Sequence, residues 1–144
     1  MTVFKKILLP IDLAHEEQID EQIKVAVAIA NNEEAEIHML YVDQSLIHRA
    51  GYPHLSKKNV TDHQGDAVKK IDVFLNKLPK NLKGDSLCRE GTAHDQIVET
   101  AEELGVDAII LMAQKPGISS YFIGSNAERV VRHAHCSVFV IRED

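Results

Sequence analysis

The sequence has no tryptophan, only two cysteines and few aromatic side chains. Cys88 and Cys136 make no Cys-x-x-Cys pair, so neither a redox motif nor a zinc cluster is suggested. No apolar run approaches the ~18 residues that a membrane helix requires. The run Ile7 to Ile11 is too short for the core of a signal peptide. A cytoplasmic location is expected, with no membrane partner. Basic residues are outnumbered and unclustered: 16 Lys and Arg stand against 22 Asp and Glu, for a net charge of −6. That balance argues against nucleic acid or an anionic membrane as the main partner. It does not argue against a small phosphate ligand, which backbone donors can hold.

Several phosphate-binding signatures are also missing. No Gly-x4-Gly-Lys-Ser/Thr occurs, which weighs against a P-loop enzyme. No Gly-x-Gly-x-x-Gly follows the first apolar run, which weighs against a dinucleotide fold. A phosphoacceptor domain needs an acidic cluster near its first strand, and Asp12 stands there alone. The histidines are scattered, and no nucleophile–base pair stands out. His133, His135 and Cys136 are close in sequence but have no evident fourth ligand, so structural or exposed side chains are favoured over a metal site.

What is present is an alternation of periods. The 144 residues suit one domain, over 1–144, burying roughly 68–70% of its unfolded surface. Lys5 to Ile11 is a short apolar run, as in a strand covered on both faces. From Glu16, Ile19, Ile23, Ala26, Val27 and Ala30 recur on one helical face, with the Glu, Gln, Asp and Lys residues elsewhere, and Asn31-Asn32 ends that helix. Ala35 to Val42 is a second strand. Asp43 to Val60 shows no clear period and is expected to be a long loop, functional or mobile. A helix is expected from Thr61 or Asp62, with Ala67, Val68, Ile71, Phe74, Leu75 and Leu78 inward and Pro79 as its stop.

Asp85 to Glu90 is a third strand, polar enough for a sheet edge. Thr92 and Asp95 resemble a capping box for a helix that buries Ile97, Val98, Ala101 and Leu104 and ends at Gly105. Asp107 to Ala113 is the fourth strand. Ser125, with Glu128 three residues on, is expected to cap a helix whose inner face is Ala127, Val130, Val131 and Ala134. Ser137 to Ile141 is the fifth strand. This alternation predicts an α/β fold, an open five-stranded parallel sheet of order 3-2-1-4-5 with helices on both faces. In that order Cys88 and Cys136 occupy opposite edges, roughly 19 Å apart at ~4.8 Å per strand step, too far for a disulfide.

In such a sheet a ligand sits beyond the strand C-termini where the strand order reverses. That crevice lies between strands one and four. Asp12 leaves strand one there, Met112 to Gly117 leave strand four, and Gly124-Ser125 returns to it as a helix begins. A helix start offers free N–H groups and a favourable dipole to an anion. Each residue also has a plainer use: Asp12 as a loop or cap residue, Ser125 as a cap, Gly124 for backbone shape and Lys115 as a solvated cation. The predicted convergence favours the functional reading. The fifth strand, Val138-Phe139-Val140-Ile141, is wholly apolar on an edge, which favours a two-fold homodimer through it.

These residues resemble the universal stress protein family over essentially the whole chain. The likeness rests on Ile7-Leu8-Leu9-Pro10-Ile11-Asp12, Glu90-Gly91-Thr92, Asp107 to Met112, Gly124-Ser125-Asn126-Ala127 and the ending Val130 to Val138. It is strongest with the short F/G-type bacterial branch, through Pro116 and Tyr121 to Ala127. The resemblance implies an adenine-nucleotide alpha-hydrolase-like sheet, a dimer and, as in many members, bound ATP or AMP, with Mg2+ as an accompanying ion. Nucleotide-binding members carry Gly-x-x-Gly, nine residues, then Gly-Ser or Gly-Thr. Here Gly124-Ser125 is present, but Met112 and Lys115 replace the earlier glycines, with one residue fewer before Gly124. Lys115 would supply charge and Gly117 flexibility. The usual Asp-Gly-Ser after strand one is Asp12-Leu13-Ala14.

By resemblance, Pro10, Ile11 and Asp12 meet the adenosine end, and Val42 meets the adenine edge through its backbone. Met112, Ala113 and Lys115 line the ribose and first phosphates, while Gly124, Ser125 and Asn126 hold the phosphates. The implied role is a stress-response sensor or regulatory module. The alternatives are an interaction dimer with a vestigial site and a slow ATPase or phosphoryl-transfer enzyme. An enzyme is not the expectation.

Overall fold

The apolar run at the start becomes the middle strand of the sheet because both of its faces are covered. β1 (Lys6–Pro10) alternates: Ile7 and Leu9 belong to one core and Leu8 to the other, all fully buried. The computed structural model describes residues 4–31, 34–44, 57–113 and 124–142, with backbone alone over 57–64. The strands are β1, β2 (Glu36–Asp43), β3 (Lys83–Glu90), β4 (Ala108–Met112) and β5 (Ser137–Ile141). They form one parallel sheet in the order β3-β2-β1-β4-β5, as the alternation predicts.

α1 (Glu16–Ala30) and α2 (Lys57–Leu75) cover one face. Ile19, Ala26 and Ala30 of α1 and Ile71, Phe74 and Leu75 of α2 pack there with Ile7, Leu9, Ile37, Met39 and Ile110. α3 (Ala93–Leu104) and α4 (Ser125–His133) cover the other, setting Ile97, Ala101, Ala127 and Val130 against Leu8, Leu40, Ile109 and Leu111. Asn31 ends α1 in the left-handed conformation, and Gly105 does the same for α3, its N–H returning to carbonyls of the last turn.

Some local details depart from the sequence reading. α2 begins at Lys57, ahead of Thr61, because its apolar stripe starts only a few turns into the helix. Part of the expected long loop is therefore helix or strand, and 45–56 lies outside the described residues. α2 stops at Leu75, and Pro79 instead opens a short 3-10 turn, Lys80–Leu82. Thr92 stands at the N-cap of α3 but makes no side-chain cap bond, while the Asp95 carboxylate lies 3.2 Å from His94 Nε2. Val131 is 49% exposed, since α4 turns only Ala127 and Val130 fully inward.

β3 is an edge strand and is held by a buried histidine. The β2–β3 register shifts between Ile37 and Met39, leaving an extra residue on β3. His38 sits beside that bulge, its Nδ1 accepting the Asp85 N–H at 3.0 Å. At the same end of the sheet, where the strands begin, the Asp107 carboxylate accepts the N–H groups of Lys5 and Lys6 at 2.9 and 3.0 Å, tying the start of β1 to β4.

Candidate functional site

The sheet splits at its middle. β1 stays paired with β2 from Lys6 to Pro10, and Ile11 N–H still reaches Leu40 O at 2.8 Å. β4 stays paired with β5 from Ala108 to Met112, and Ala113 N–H reaches Ile141 O at 2.7 Å. Between β1 and β4 only Ile7–Ala108 and Leu8–Ile109 are in register. Beyond them the halves part, and a cleft of about 850 Å³ among the described residues lies over the gap. This is the reversal point that parallel-sheet topology marks for ligands.

The separation leaves main-chain carbonyls without ladder partners, and a side chain takes them up. Gln22, 1% exposed, donates from Nε2 to Pro10 O at 2.8 Å and to Ile110 O at 2.9 Å. Sequence reasoning put this glutamine among the outward polar residues of α1. Its place between Ile19 and Ala26 on the inner stripe was the available signal, because that position faces the sheet.

Four chain segments proposed from the sequence reach the cleft together. Pro10, Ile11 and Asp12 line it from β1, Val42 from β2, Met112 and Ala113 from β4, and Gly124, Ser125 and Asn126 from the start of α4. Lys115, Pro116, Gly117 and Tyr121 lie outside the described residues. Tyr41, Asp43, His15 and Gln22 also line the cleft and were not singled out.

Asp12 organises the turn out of β1. Its Oδ1 accepts the Ala14 N–H at 2.9 Å, and its Oδ2 lies 2.7 Å from His15 Nδ1. The plainer reading of Asp12 as a loop residue is thus part of its role. Each carboxylate oxygen retains lone-pair capacity for a further donor. At the far side, Gly124 rather than Ser125 is the N-cap of α4, with φ 99° and ψ 144°. That backbone suits glycine, so the helix begins one residue later than a serine cap would place it, and Ser125 occupies the first helical position without a side-chain cap bond. Gly124 O accepts the first helical bond, from Glu128 N–H at 3.0 Å. The N–H groups ahead of it in the first turn have no intrahelical partner.

The lining carries three carboxylates, Asp12, Glu17 and Asp43, and no Lys or Arg among the described residues. Burial raises the Tyr41 phenol, and the Asp43, Cys88 and Asp12 groups raise it further, so it stays neutral. Burial, then Asp43 and Glu90, push the neighbouring Cys88 thiol up to about 11. Among the described residues no group of three His, Cys, Asp or Glu side chains is placed to hold a metal ion.

A model of the universal stress protein family matches residues 4–142. The chain belongs to the universal stress protein family. Universal stress protein G of Shigella flexneri is 30% identical over 148 residues, spanning 97% of this chain and 100% of that one. Among solved structures, the hypothetical protein MJ0577 superposes with a TM-score of 0.80 at 24% identity, covering 99% of this chain and 98% of that one. A universal stress protein in complex with cAMP has a TM-score of 0.62 at 13% identity, covering 98% of each chain. A universal stress protein family member from Arabidopsis thaliana with AMP bound has a TM-score of 0.60 at 16% identity, covering 97% of this chain and 92% of that one. These likenesses to solved structures establish the shared universal stress protein fold. No helix among the described residues is long and apolar enough to cross a membrane.

Proposed function

We propose that the cleft binds an adenine nucleotide, AMP or ATP, and that the protein acts in the stress response as a sensor or regulatory module. The convergence of Pro10–Asp12, Val42, Met112–Ala113 and the open start of α4 at one split in the sheet carries this reading. AMP and cAMP complexes of proteins with the same fold support it. The cleft volume of about 850 Å³ falls within the usual range for small-molecule sites, roughly 300–1,000 Å³.

In this reading Val42 offers backbone groups to the adenine edge, with Ile11 packed beside it. Pro10 and Asp12 meet the adenosine end, and Met112, Ala113 and Lys115 follow the ribose and first phosphate. The free amides of Ser125 and Asn126, released by the Gly124 turn, receive the phosphate where the helix dipole favours an anion. Three carboxylates in the lining favour the monophosphate, or ATP whose phosphates carry their own Mg2+. The nucleotide then changes what a partner protein meets at the cleft mouth.

The β5 edge supports a two-fold homodimer. Val138, Phe139, Val140 and Ile141 are only half-buried, and no strand pairs with the outer edge of β5 among the described residues. Sedimentation of the wild type against Val140→Lys tests the dimer. The nucleotide reading is tested by denaturing freshly purified protein, chromatographing the released nucleotide, and titrating emptied protein with AMP, ATP and ATP with Mg2+ in a calorimeter. Co-purified adenylate or a saturable heat is expected. Neither appearing with any of the three would overturn the reading. Turnover of ATP to ADP during the titration would favour the enzyme alternative.

A further inference from the structure

The end of the β1–β4 ladder has a specific cause in the sequence. Ile11 N–H faces β2, reaching Leu40 O, and Lys6 O faces β4, accepting the Asp107 N–H at 2.7 Å. Backbone groups alternate sides along a strand, so the main-chain nitrogen of residue 10, like that of Lys6, faces β4. The Leu8–Ile109 register sets residue 10 opposite Leu111, and in a parallel ladder its N–H would run to Ile110 O. Residue 10 is proline and has no N–H, so that rung cannot form. The amide of Gln22 supplies the donor instead. Its Nε2 carries two hydrogens and donates to Ile110 O at 2.9 Å and to Pro10 O at 2.8 Å, from a side chain that is 1% exposed.

The two carbonyls bound by Gln22 belong to the two strand ends that wall the cleft. Resting on the adenine-nucleotide reading, the β1 wall, Pro10 to Asp12, meets the adenosine end, and the β4 wall, Met112 and Ala113, follows the ribose and first phosphate. Past Leu8–Ile109 no ladder pair sets one wall against the other, and there the Gln22 amide bonds both strands. We propose that Gln22 is a positioning residue for the nucleotide, replacing the N–H that Pro10 lacks and holding the two walls at the spacing that one ligand bridges. Walls already fixed need not be ordered by the ligand, so less of its binding energy is spent on ordering them. Pro10 and Gln22 then act as a compensated pair, the first removing a rung and the second restoring its donor from α1.

A thermodynamic cycle of Gln22→Met, Pro10→Ala and the double variant tests this, read by urea unfolding and by calorimetric titration with AMP. Gln22→Met is expected to bind AMP roughly tenfold more weakly than wild type. Pro10→Ala returns a backbone N–H on the side of Ile110 O, so in that background the same glutamine change is expected to cost clearly less, in affinity and in urea midpoint alike. The amide that Pro10→Ala introduces is expected to become more protected from hydrogen exchange when Gln22 is also replaced. A folded Gln22→Met that binds AMP as wild type does, or a loss that is equal in the two backgrounds, would overturn the inference and leave the nucleotide reading standing. Should Gln22→Met alone not fold, the double variant decides: folding there supports the compensated pair, and failure there overturns it. Failure of both AMP and ATP to bind the wild type overturns the nucleotide reading, and the positioning role with it.

Discussion

Replacing Gly124 with alanine and, separately, Ser125 with alanine separates two accounts of how α4 begins. In the structure Gly124 holds φ 99° and ψ 144° at the N-cap, close to a region that side chains avoid, and Ser125 is the first helical residue. An alanine at 124 either adopts that strained backbone or forces the first turn to move. The cost is about 1–3 kcal/mol. Near this chain length ~1 kcal/mol corresponds to about 4 °C in Tm, so Gly124→Ala should melt roughly 4–12 °C lower. Ser125→Ala removes an exposed hydroxyl that makes no cap bond, and should fall within ~0.5 kcal/mol of wild type. Were Ser125 the cap, as the Ser-x-x-Glu pattern implies, its loss would cost about 1 kcal/mol. Urea unfolding followed by circular dichroism, with slopes compared to confirm a shared unfolded state, measures both. A Ser125→Ala loss of ~1 kcal/mol alongside a near-neutral Gly124→Ala would refute the assignment.

Other consequences are as direct. In Gly84→Ala the new Cβ would lie 2.7 Å from both His38 Nδ1 and Ile37 O, so the β2–β3 bulge must shift, at about 1–3 kcal/mol in urea midpoints. Asp107→Ala removes the acceptor of two main-chain N–H groups at the start of β1 and should cost about 1–2 kcal/mol, with Asp107→Asn recovering part of it through its remaining oxygen. The Cys88 thiol, pushed up from 9.0 to about 11 by burial and then by Asp43 and Glu90, is less acidic folded than unfolded. Its contribution to stability is complete below pH 9.0 and is lost as pH rises toward about 11, because the unfolded chain releases its proton first. Urea midpoints between pH 8 and 11 should decline more steeply in wild type than in Cys88→Ala.

The sheet order was legible because each strand and helix announces its period. Ile7 to Leu9 is apolar without interruption, which only a two-faced strand requires, and the polar β3 reads correctly as an edge. The cleft was legible because topology alone brings Asp12, Met112 and Gly124 to one end of the sheet, with Val42 added by the family resemblance. Gln22 was not, because an amide at an inward position carries the same letter as one facing solvent, and only the carbonyls above it give it a purpose. The cap was misread because Ser125 and Glu128 satisfy a side-chain pattern, whereas the backbone of Gly124 decides where the helix starts. The bulge at His38 left no trace in the β2 pattern, since a register shift changes the partner strand and not the alternation itself.

Peptide groups are common to every residue, so a site floored by main chain can be altered only by bending the chain. At the parting of β1 and β4 the floor is instead a replaceable tile, one glutamine carried in on a helix. A change of that one side chain withdraws the donor from Pro10 O and Ile110 O at a stroke, and the two halves of the sheet lose their shared tether.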